Sequence, residues 1–525
     1  MDDVREPPPI GGRMVMPLLM LLAGLAFLFT GIRQLPNIYD EGLTLVGADR
    51  ILLGEVPFKD FWHTHPPGYI WLAAGLFRLT GESIIVLRAL DSLLKVLLAL
   101  SVWRWAARLG LGRAAGAAFV VALLWLGWFG LYGYAGVPAL LCGLESLALV
   151  VRSLAASKPR HAHIQLAGAG LAAGVGTLFR LDFGFYTVAA AASTLVLAHS
   201  MPQGLPGRER LRRAFRALVL FGAGVGVPVL LALVVLFGQG APVSRLIDTL
   251  IIYPVVTFPE VRRLPAPDLA WDTLAFYVPA WLGILGLARG ILLLKRGTRE
   301  SAPVLGWCGL SLLMLAAMPH ARTRADIVHQ LPVLLPSVAL AAAWCHELFR
   351  RGVWWRVFAA LLVPVFALTY LALPARSWLG PVPVPSERDH GLTRAAGVDL
   401  RPDQAAAVRA VRTSTAPGDF VFVGNGRNDR TLVNDALFYF LLGRRYPTFY
   451  HNLLPGLTTR ETVQREMVSG LRAHGVRYIV LCTAFDEGVE PNASGDAGSS
   501  VLDAYIHRAY VLSTTIGQHQ IWVRR

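Results

Sequence analysis

Eleven apolar runs, each close to the length that crosses a bilayer, constrain this chain of 525 residues more than any motif it carries. A hydrocarbon core about 30 Å thick needs about 20 apolar residues per helix. The runs fall at about 14–33, 83–105, 114–132, 134–151, 164–181, 183–199, 215–238, 271–294, 302–318, 330–348 and 353–374. In lipid every backbone donor and acceptor must be satisfied inside the segment, so such runs are helices. Composition agrees, with 54% apolar and only 16% charged residues, against about 25% charged in soluble domains. A soluble enzyme, a disordered chain and a small disulfide scaffold are excluded. The expected fold class is an α-helical polytopic membrane protein.

The net charge of +15 would suit nucleic acid, but the basic residues are scattered through short loops. Arg104, Arg108 and Arg113 form one set, and Arg152, Lys158 and Arg160 the next. Arg208, Arg210, Arg212, Arg213 and Arg216 follow, then Lys295, Arg296 and Arg299, then Arg350, Arg351 and Arg356. All five sets fall on the same alternate side, which the positive-inside rule assigns to the cytoplasm. The N-terminus is then cytoplasmic and the C-terminus outside, with no nucleic-acid partner. The run from Met14 to about Ile32 is long enough to span and has no small-residue cleavage site after it, so it reads as a signal anchor. Cys142, Cys308, Cys345 and Cys482 show no CxxC or Cys/His spacing, which supports neither a zinc site nor a disulfide framework.

Four outer segments are long or polar: a first loop at about 34–82, then 239–270, 319–329, and a tail at 376–525 introduced by Pro381-Val-Pro-Val-Pro385. The tail reads as a small α/β domain. Helices are expected at Pro402–Thr413, 432–442 and 458–474, the last from a Thr-Thr-Arg-Glu capping box. Strands are expected at Asp419–Gly424 and Val476–Cys482, with a closing hairpin at 510–524.

The first loop carries the chemistry. It holds Tyr39-Asp-Glu-Gly42 directly after the first span, then Lys59, Asp60, His63 and His65 just before Pro66-Pro67. Ionisable groups at a membrane edge are costly and need a reason. A double proline fixes the backbone and aims the side chains before it. The stretches 43–53 and 69–79 read as amphipathic helices on the membrane surface. Asp40 and Glu41 could simply cap a helix from Gly42, but the second polar cluster on the same side argues for a site.

The pattern of Tyr39-Asp-Glu-Gly42 followed by Ala48, Leu52, Gly54, Pro57, Phe58, Asp60, Phe61, Trp62, His65, Pro66, Pro67 and Gly68 resembles the GT-C membrane glycosyltransferases. In particular it is similar to the protein O-mannosyltransferase group, glycosyltransferase family 39, and its lipid A aminoarabinose transferase relatives. The resemblance implies a GT-C fold, with residues 1–375 as the catalytic membrane module and the α/β tail outside a bacterial inner membrane. It also implies a polyprenyl-phosphate-linked sugar as donor. Asp40 maps to the catalytic carboxylate and Glu41 to its neighbour. His65 stands where relatives place a basic residue against the lipid phosphate, a departure from lysine that makes its charge depend on pH.

Chemistry read from the residues agrees. A carboxylate within reach of an acceptor hydroxyl can take its proton, and a departing phosphate needs positive charge around it. Outer edges offer that charge at Arg180 with Asp182, at Arg322, Arg324 and His329 beside Asp326, and at Lys59. Arginine suits phosphate because its fork makes paired hydrogen bonds. No cofactor is required, although Asp40, Glu41 and Asp60 are oxygen ligands suited to a divalent metal. Acceptors would be a hydroxyl on a protein, glycolipid or envelope glycan. A transporter or flippase of lipid-linked sugars and a non-enzymatic envelope scaffold are the competing readings.

Other features read as structural. Arg88, Asp91 and Lys95 would pair along one helix face. Arg262 and Arg263 would face water. Gly168, Gly170, Gly174, Gly222, Gly224 and Gly226 lie inside spans, where small residues allow close helix contact. Gly424-Asn-Gly426 lacks the third glycine of a nucleotide turn, and Asn492-Ala-Ser494 is a glycosylation sequon by pattern alone.

Overall fold

The computed structural model describes residues 10–128, 130–200, 206–296, 302–379, 384–486 and 490–525. Fifteen helices precede the tail: α1 Ile10–Phe29, α2 Asp40–Leu52, α3 Gly68–Thr80, α4 Ile84–Ala106, α5 Ala115–Trp128, α6 Gly136–Leu154, α7 Pro159–Phe179, α8 Leu181–Ser200, α9 Gly207–Gly238, α10 Val243–Ile247, α11 Phe258–Arg262, α12 Leu274–Lys295, α13 Ala302–Thr323, α14 Leu331–Phe349 and α15 Val353–Leu379. All eleven expected spans are helices. Among the described residues eight, α6–α9 and α12–α15, are long and apolar enough to cross a membrane. The other three are marginal for visible reasons. Helix α1 contributes the apolar stretch Met14–Phe29, α5 has only 14 residues, and α4 carries Arg88, Asp91, Lys95 and Arg104.

Small residues set the closest helix contact. A Cβ on Gly170 would lie 2.1 Å from the Phe221 carbonyl oxygen, one on Gly224 2.5 Å from that of Ala167, and one on Gly174 2.5 Å from that of Val225. Three of the six glycines thus let α7 and α9 touch backbone to backbone, the mode favoured where lipid gives no hydrophobic drive. Gly168, Gly222 and Gly226 face no such contact. Helices α7 and α8 are separated by Arg180 alone. Gly184, whose Cβ would clash with Thr177 at 2.1 Å, allows that sharp corner.

The two loop helices behave differently from each other. In α3, Tyr69, Ile70, Ala73, Ala74 and Phe77 are buried while Leu72 and Leu79 are exposed, the one-sided pattern expected of an amphipathic helix. In α2 every residue from Glu41 to Arg50 is buried. Instead of lying on a surface, α2 is enclosed, because the tail covers it.

The tail adds α16 Pro402–Thr413, β1 Val421–Asn425, α17 Ala436–Leu442, α18 Glu461–Ala473, β2 Tyr478–Cys482, α19 Val501–Ala509, β3 Tyr510–Ile516 and β4 His519–Arg524. The sheet runs β1-β2-β4-β3, with β1 parallel to β2 and the remaining pairs antiparallel. Pro402 opens α16 at a position where a missing N–H costs nothing. Gly443 ends α17 in the left-handed region, at φ 61°. The expected capping box is not formed. Helix α18 begins after Arg460, Thr458 bonds back to Leu454, and Thr459 accepts from the Gly456 N–H. Helix α19 was not anticipated. Of the proline-rich linker, residues 381–383 lie outside the described residues, as does Arg299 of the fourth basic set.

The tail closes one core largely from its own residues, Phe422, Leu453, Met467, Ile479 and Tyr510 among them, and shares a second with the first loop. Leu45, Val46, Ala48, Tyr69, Ala73 and Phe77 pack in one cluster with Leu437, Phe438, Phe440 and Val423. Polar ties reinforce the seam. Asp49 accepts from Arg394 at 2.9 Å and from the Tyr446 hydroxyl. Arg50 donates to the Thr448 carbonyl at 3.1 Å and the Asp60 carbonyl at 3.0 Å.

Candidate active site

The turn before α2 is built by Asn37. Its side-chain oxygen accepts from the N–H groups of Tyr39 and Asp40, both at 2.9 Å, which sets Asp40 at the first position of the helix. Helix α17 presses against this start: the Leu437 N–H bonds the Ile38 carbonyl at 2.9 Å. A Cβ on Gly42 would lie 2.5 Å from the Leu437 nitrogen, so only glycine fits there.

The two adjacent acids then part. Glu41 is fully buried and takes two hydrogen bonds from Arg88, at 2.6 and 2.8 Å. Arg88 also donates to the carbonyls of Ile32 and Gln34 and lies over the Tyr132 ring. The expected pairing along α4 is therefore corrected. Arg88 serves Glu41, Asp91 binds the Tyr69 hydroxyl and the Gly133 N–H, and Lys95 sits over the Tyr132 ring at 3.7 Å. Glu41, expected to assist Asp40 or a metal, is instead held by Arg88, which ties α2 and α4 to the turn that follows α1.

Asp40 stays open to water although protein atoms surround it densely. Burial raises its carboxyl pKa, Asp326 adds to the rise, and the charges of His329, Arg180 and Arg262 oppose it. Those partners come from three other segments, so the site converges from the start of α2, the α7–α8 corner, the loop around α11 and the α13–α14 loop.

Arg180 is the hub of one side. It donates to Asp182 at 2.9 and 3.2 Å and to the Tyr134 hydroxyl at 2.6 Å, and lies 3.4 Å from a ring nitrogen of His320. His320 also faces Asp182 at 3.3 Å and stacks near His329, with ring centres 4.9 Å apart. On the other side, Asp326 receives the His329 ring at 2.6 Å, the His329 N–H at 3.0 Å and Arg324 at 2.7 Å. Burial alone would raise the Asp326 carboxyl; hydrogen bonding and charge from His329, with Arg324 behind, outweigh it and hold the group below the ordinary carboxylate range. Arg324 is further forked onto Glu490 of the tail, with one bond at 2.9 Å.

His65 joins the Arg180 side because Gly68 permits it. A Cβ there would strike the Leu178 carbonyl oxygen at 2.6 Å, so the start of α3 abuts the end of α7. Burial, then Arg180, drives the His65 pKa well below its usual value, and burial takes His63 to about 4. Both rings are neutral at neutral pH, so positive charge at this edge comes from Arg180.

Not every candidate joins the cluster. Lys59 donates to the Gln239 carbonyl at 3.1 Å, and Asp60 accepts from the Val56 N–H at 2.8 Å, closing its own turn. Arg322 is exposed and lines a separate surface cleft with Arg263, Pro265 and Pro319. With Glu41 committed to Arg88 and Asp60 to its turn, the three carboxylates considered for a metal do not form a group; among the described residues the one such set is Asp435, Cys482 and His519 in the tail. The Gly424–Gly426 turn faces the Asp486 carboxylate, which a Cβ on Gly426 would meet at 2.2 Å, a poor place for phosphate.

Sequence reading missed Tyr134, His320, Glu490 and Arg262. Arg262 is 6% exposed rather than water-facing, and donates to the Leu432 carbonyl at 2.6 Å. A lone tyrosine at a span end gives no signal.

Comparison with known proteins bears on this geometry. A model of the dolichyl-phosphate-mannose-protein mannosyltransferase family matches residues 64–235. Solved structures align over nearly the whole chain. ArnT from Cupriavidus metallidurans in the apo state is 13% identical, with a TM-score of 0.58 over 97% of this chain and 98% of that one. The fold is that of the GT-C glycosyltransferases. ArnT bound to undecaprenyl phosphate gives a TM-score of 0.56 at 12% identity, covering 98% of each chain. AglB, an archaeal oligosaccharyltransferase from Archaeoglobus fulgidus in complex with an inhibitory peptide and a dolichol-phosphate, gives 0.54 at 12% identity. It covers 90% of this chain and 70% of that one. The helical class and the GT-C fold expected from the first loop thus extend over nearly the whole chain. No curated protein sequence matches it.

Proposed function

We propose that the protein transfers a sugar from a polyprenyl-phosphate donor to a hydroxyl acceptor at the outer face of a bacterial inner membrane, with Asp40 as the base. The observation that carries this is the convergence on Asp40 of the charges of Arg180, Arg262 and His329, with Arg324 held on Asp326 behind them, from three other segments. It lies at the helix ends opposite those that carry the five basic loops. Solved proteins of this fold hold undecaprenyl phosphate and dolichol-phosphate, which supports the donor class.

The acceptor oxygen attacks the anomeric carbon while Asp40 takes its proton, and the bond from that carbon to the phosphate oxygen breaks. Polyprenyl phosphate leaves as a stable anion and needs no general acid. A raised carboxyl pKa makes Asp40 a stronger base than a free aspartate. Around it, the guanidinium groups of Arg180, Arg262 and Arg324 face the carboxylates of Asp182, Asp326 and Glu490, so Asp40 is the one acid without a guanidinium of its own. A donor phosphate then takes the place of Glu490 on Arg324 and Arg262, exchanging one anion for another. The membrane module at 1–375 performs the transfer, and the tail at 376–525 closes over it from outside.

A transporter would need its site near the bilayer midplane between repeated halves; here the charge cluster around Asp40 sits at one end of the helices, and Lys95, halfway along α4, lies buried over the Tyr132 ring. The test is purified full-length protein with radiolabelled polyprenyl-phosphate sugars, wild type against Asp40→Asn. Loss of transfer with retained donor binding is expected. Equal transfer by both would remove Asp40 as the base.

A further inference from the structure

The tail holds a second cluster of ligating groups, unrelated to the cleft. Three adjacent strands place Asn425, Cys482 and His519 in one row. Cys482 stands opposite Asn425 across the β1–β2 pair and opposite His519 across the β2–β4 pair. Residues paired directly across neighbouring strands share a face of the sheet. Asp435, the cap of α17, meets that row. Ligand atoms of Asp435, Cys482 and His519 all lie within 4.8 Å of one another, and Asp435 Oδ2 is 3.2 Å from His519 Nε2.

Three facts set this cluster apart from an ordinary core. All three residues are at most 3% exposed. His519 Nδ1 and Asn425 Oδ1 are both buried and have no hydrogen-bond partner among the described residues. The unpartnered Asn425 amide oxygen, buried beside a thiol, requires an explanation. We propose that Asp435, Cys482 and His519, with Asn425 beside them, bind a single divalent cation of the zinc class. One carboxylate, one imidazole and one thiolate make a mixed set that suits Zn2+, whose tetrahedral ligands stand about 3.3–3.8 Å apart given their bond lengths. The Asp435–His519 spacing is close to that range, all three ligand atoms lie within 4.8 Å of one another, and Asp435 Oδ2 also accepts from Gln404 Nε2 at 2.8 Å.

Binding displaces the thiol proton: the metal–sulfur bond forms as the S–H bond breaks, and one proton leaves for each ion bound. The site is enclosed, so the ion is structural. It would fix Asp435 at the head of α17, whose Leu437 N–H holds the Ile38 carbonyl, two residues before Asp40. The tail's strands and the wall of the cleft would then be set by the same ion. None of this depends on what the cleft catalyses.

The test uses the full chain in detergent, stripped with a chelator and titrated with Co2+ and then Zn2+. A single equivalent per chain, with thiolate-to-cobalt charge-transfer absorption and a higher unfolding temperature, is expected. The absorption should vanish in Cys482→Ser and persist in Cys345→Ser. Wild type without that absorption overturns the site, whatever the variants do. An absorption that survives in folded Cys482→Ser overturns it as well.

Discussion

The Glu41 clamp and the Asp40 cleft begin at adjacent residues and end as opposites. Glu41 is sealed from water and matched by one arginine held on two backbone carbonyls. Asp40 is wet, and its arginines are shared with other acids. A buried pair matched to each other and anchored on backbone carbonyls holds the fold. An accessible carboxylate with raised basicity can exchange a proton. Carboxylate chemistry is identical in the two, and only the partners that the fold delivers differ.

The largest expected contrast is in stability. Glu41→Ala leaves Arg88 buried and unpaired, a loss of about 3–5 kcal/mol, whereas Asp40→Ala loses less than about 1 kcal/mol. Thermal unfolding in one detergent measures both, and equal losses would break the distinction. Next is Arg180→Ala, expected to slow transfer on the order of 100-fold. Arg180→Lys should rescue little, because an ammonium cannot serve Asp182, Tyr134 and His320 at once.

The pH profile sharpens the comparison. Burial raises the Asp40 pKa, so its basic form is lost at a higher pH than for a free aspartate of about 3.9. The acid limb of kcat/KM should lie above that value, and a limb at or below it would contradict the enclosed setting of Asp40. A smaller effect is expected from Glu490→Gln, which weakens the hold on Arg324. Donor Kd should fall a few-fold, and an unchanged or higher Kd would show that phosphate does not use Arg324. Smallest is His65→Gln. Because His65 is already neutral, the shape of the profile near its ordinary value of about 6.5 should not change.

Period and composition made the spans legible, because lipid permits a helix and little else. The tail's strands at 421–425 and 478–482 were legible for a related reason: short apolar runs bounded by turns. The first loop announced Asp40 and His65 because charge beside a membrane is conspicuous. Legibility ended where a residue's role depends on a distant partner. Arg262 and Arg263 look alike in sequence, and only the packing of the tail buries the first. Cys482 and His519 are 37 positions apart and show no ligand spacing, yet adjacent strands bring them together. His65 kept its place but lost the charge that its neighbours in sequence would have allowed it.

Sequence alone determined the solvent of each segment. Apolar length demanded lipid, and the basic loops and the polar clusters fell at opposite ends of the apolar runs, since transfer free energy is a property of the residues themselves. Tertiary structure decided which charges are spent and which remain available. Coulomb energy depends on separation and on the dielectric between groups, and neither exists until α2 is enclosed by α4 on one side and the tail on the other.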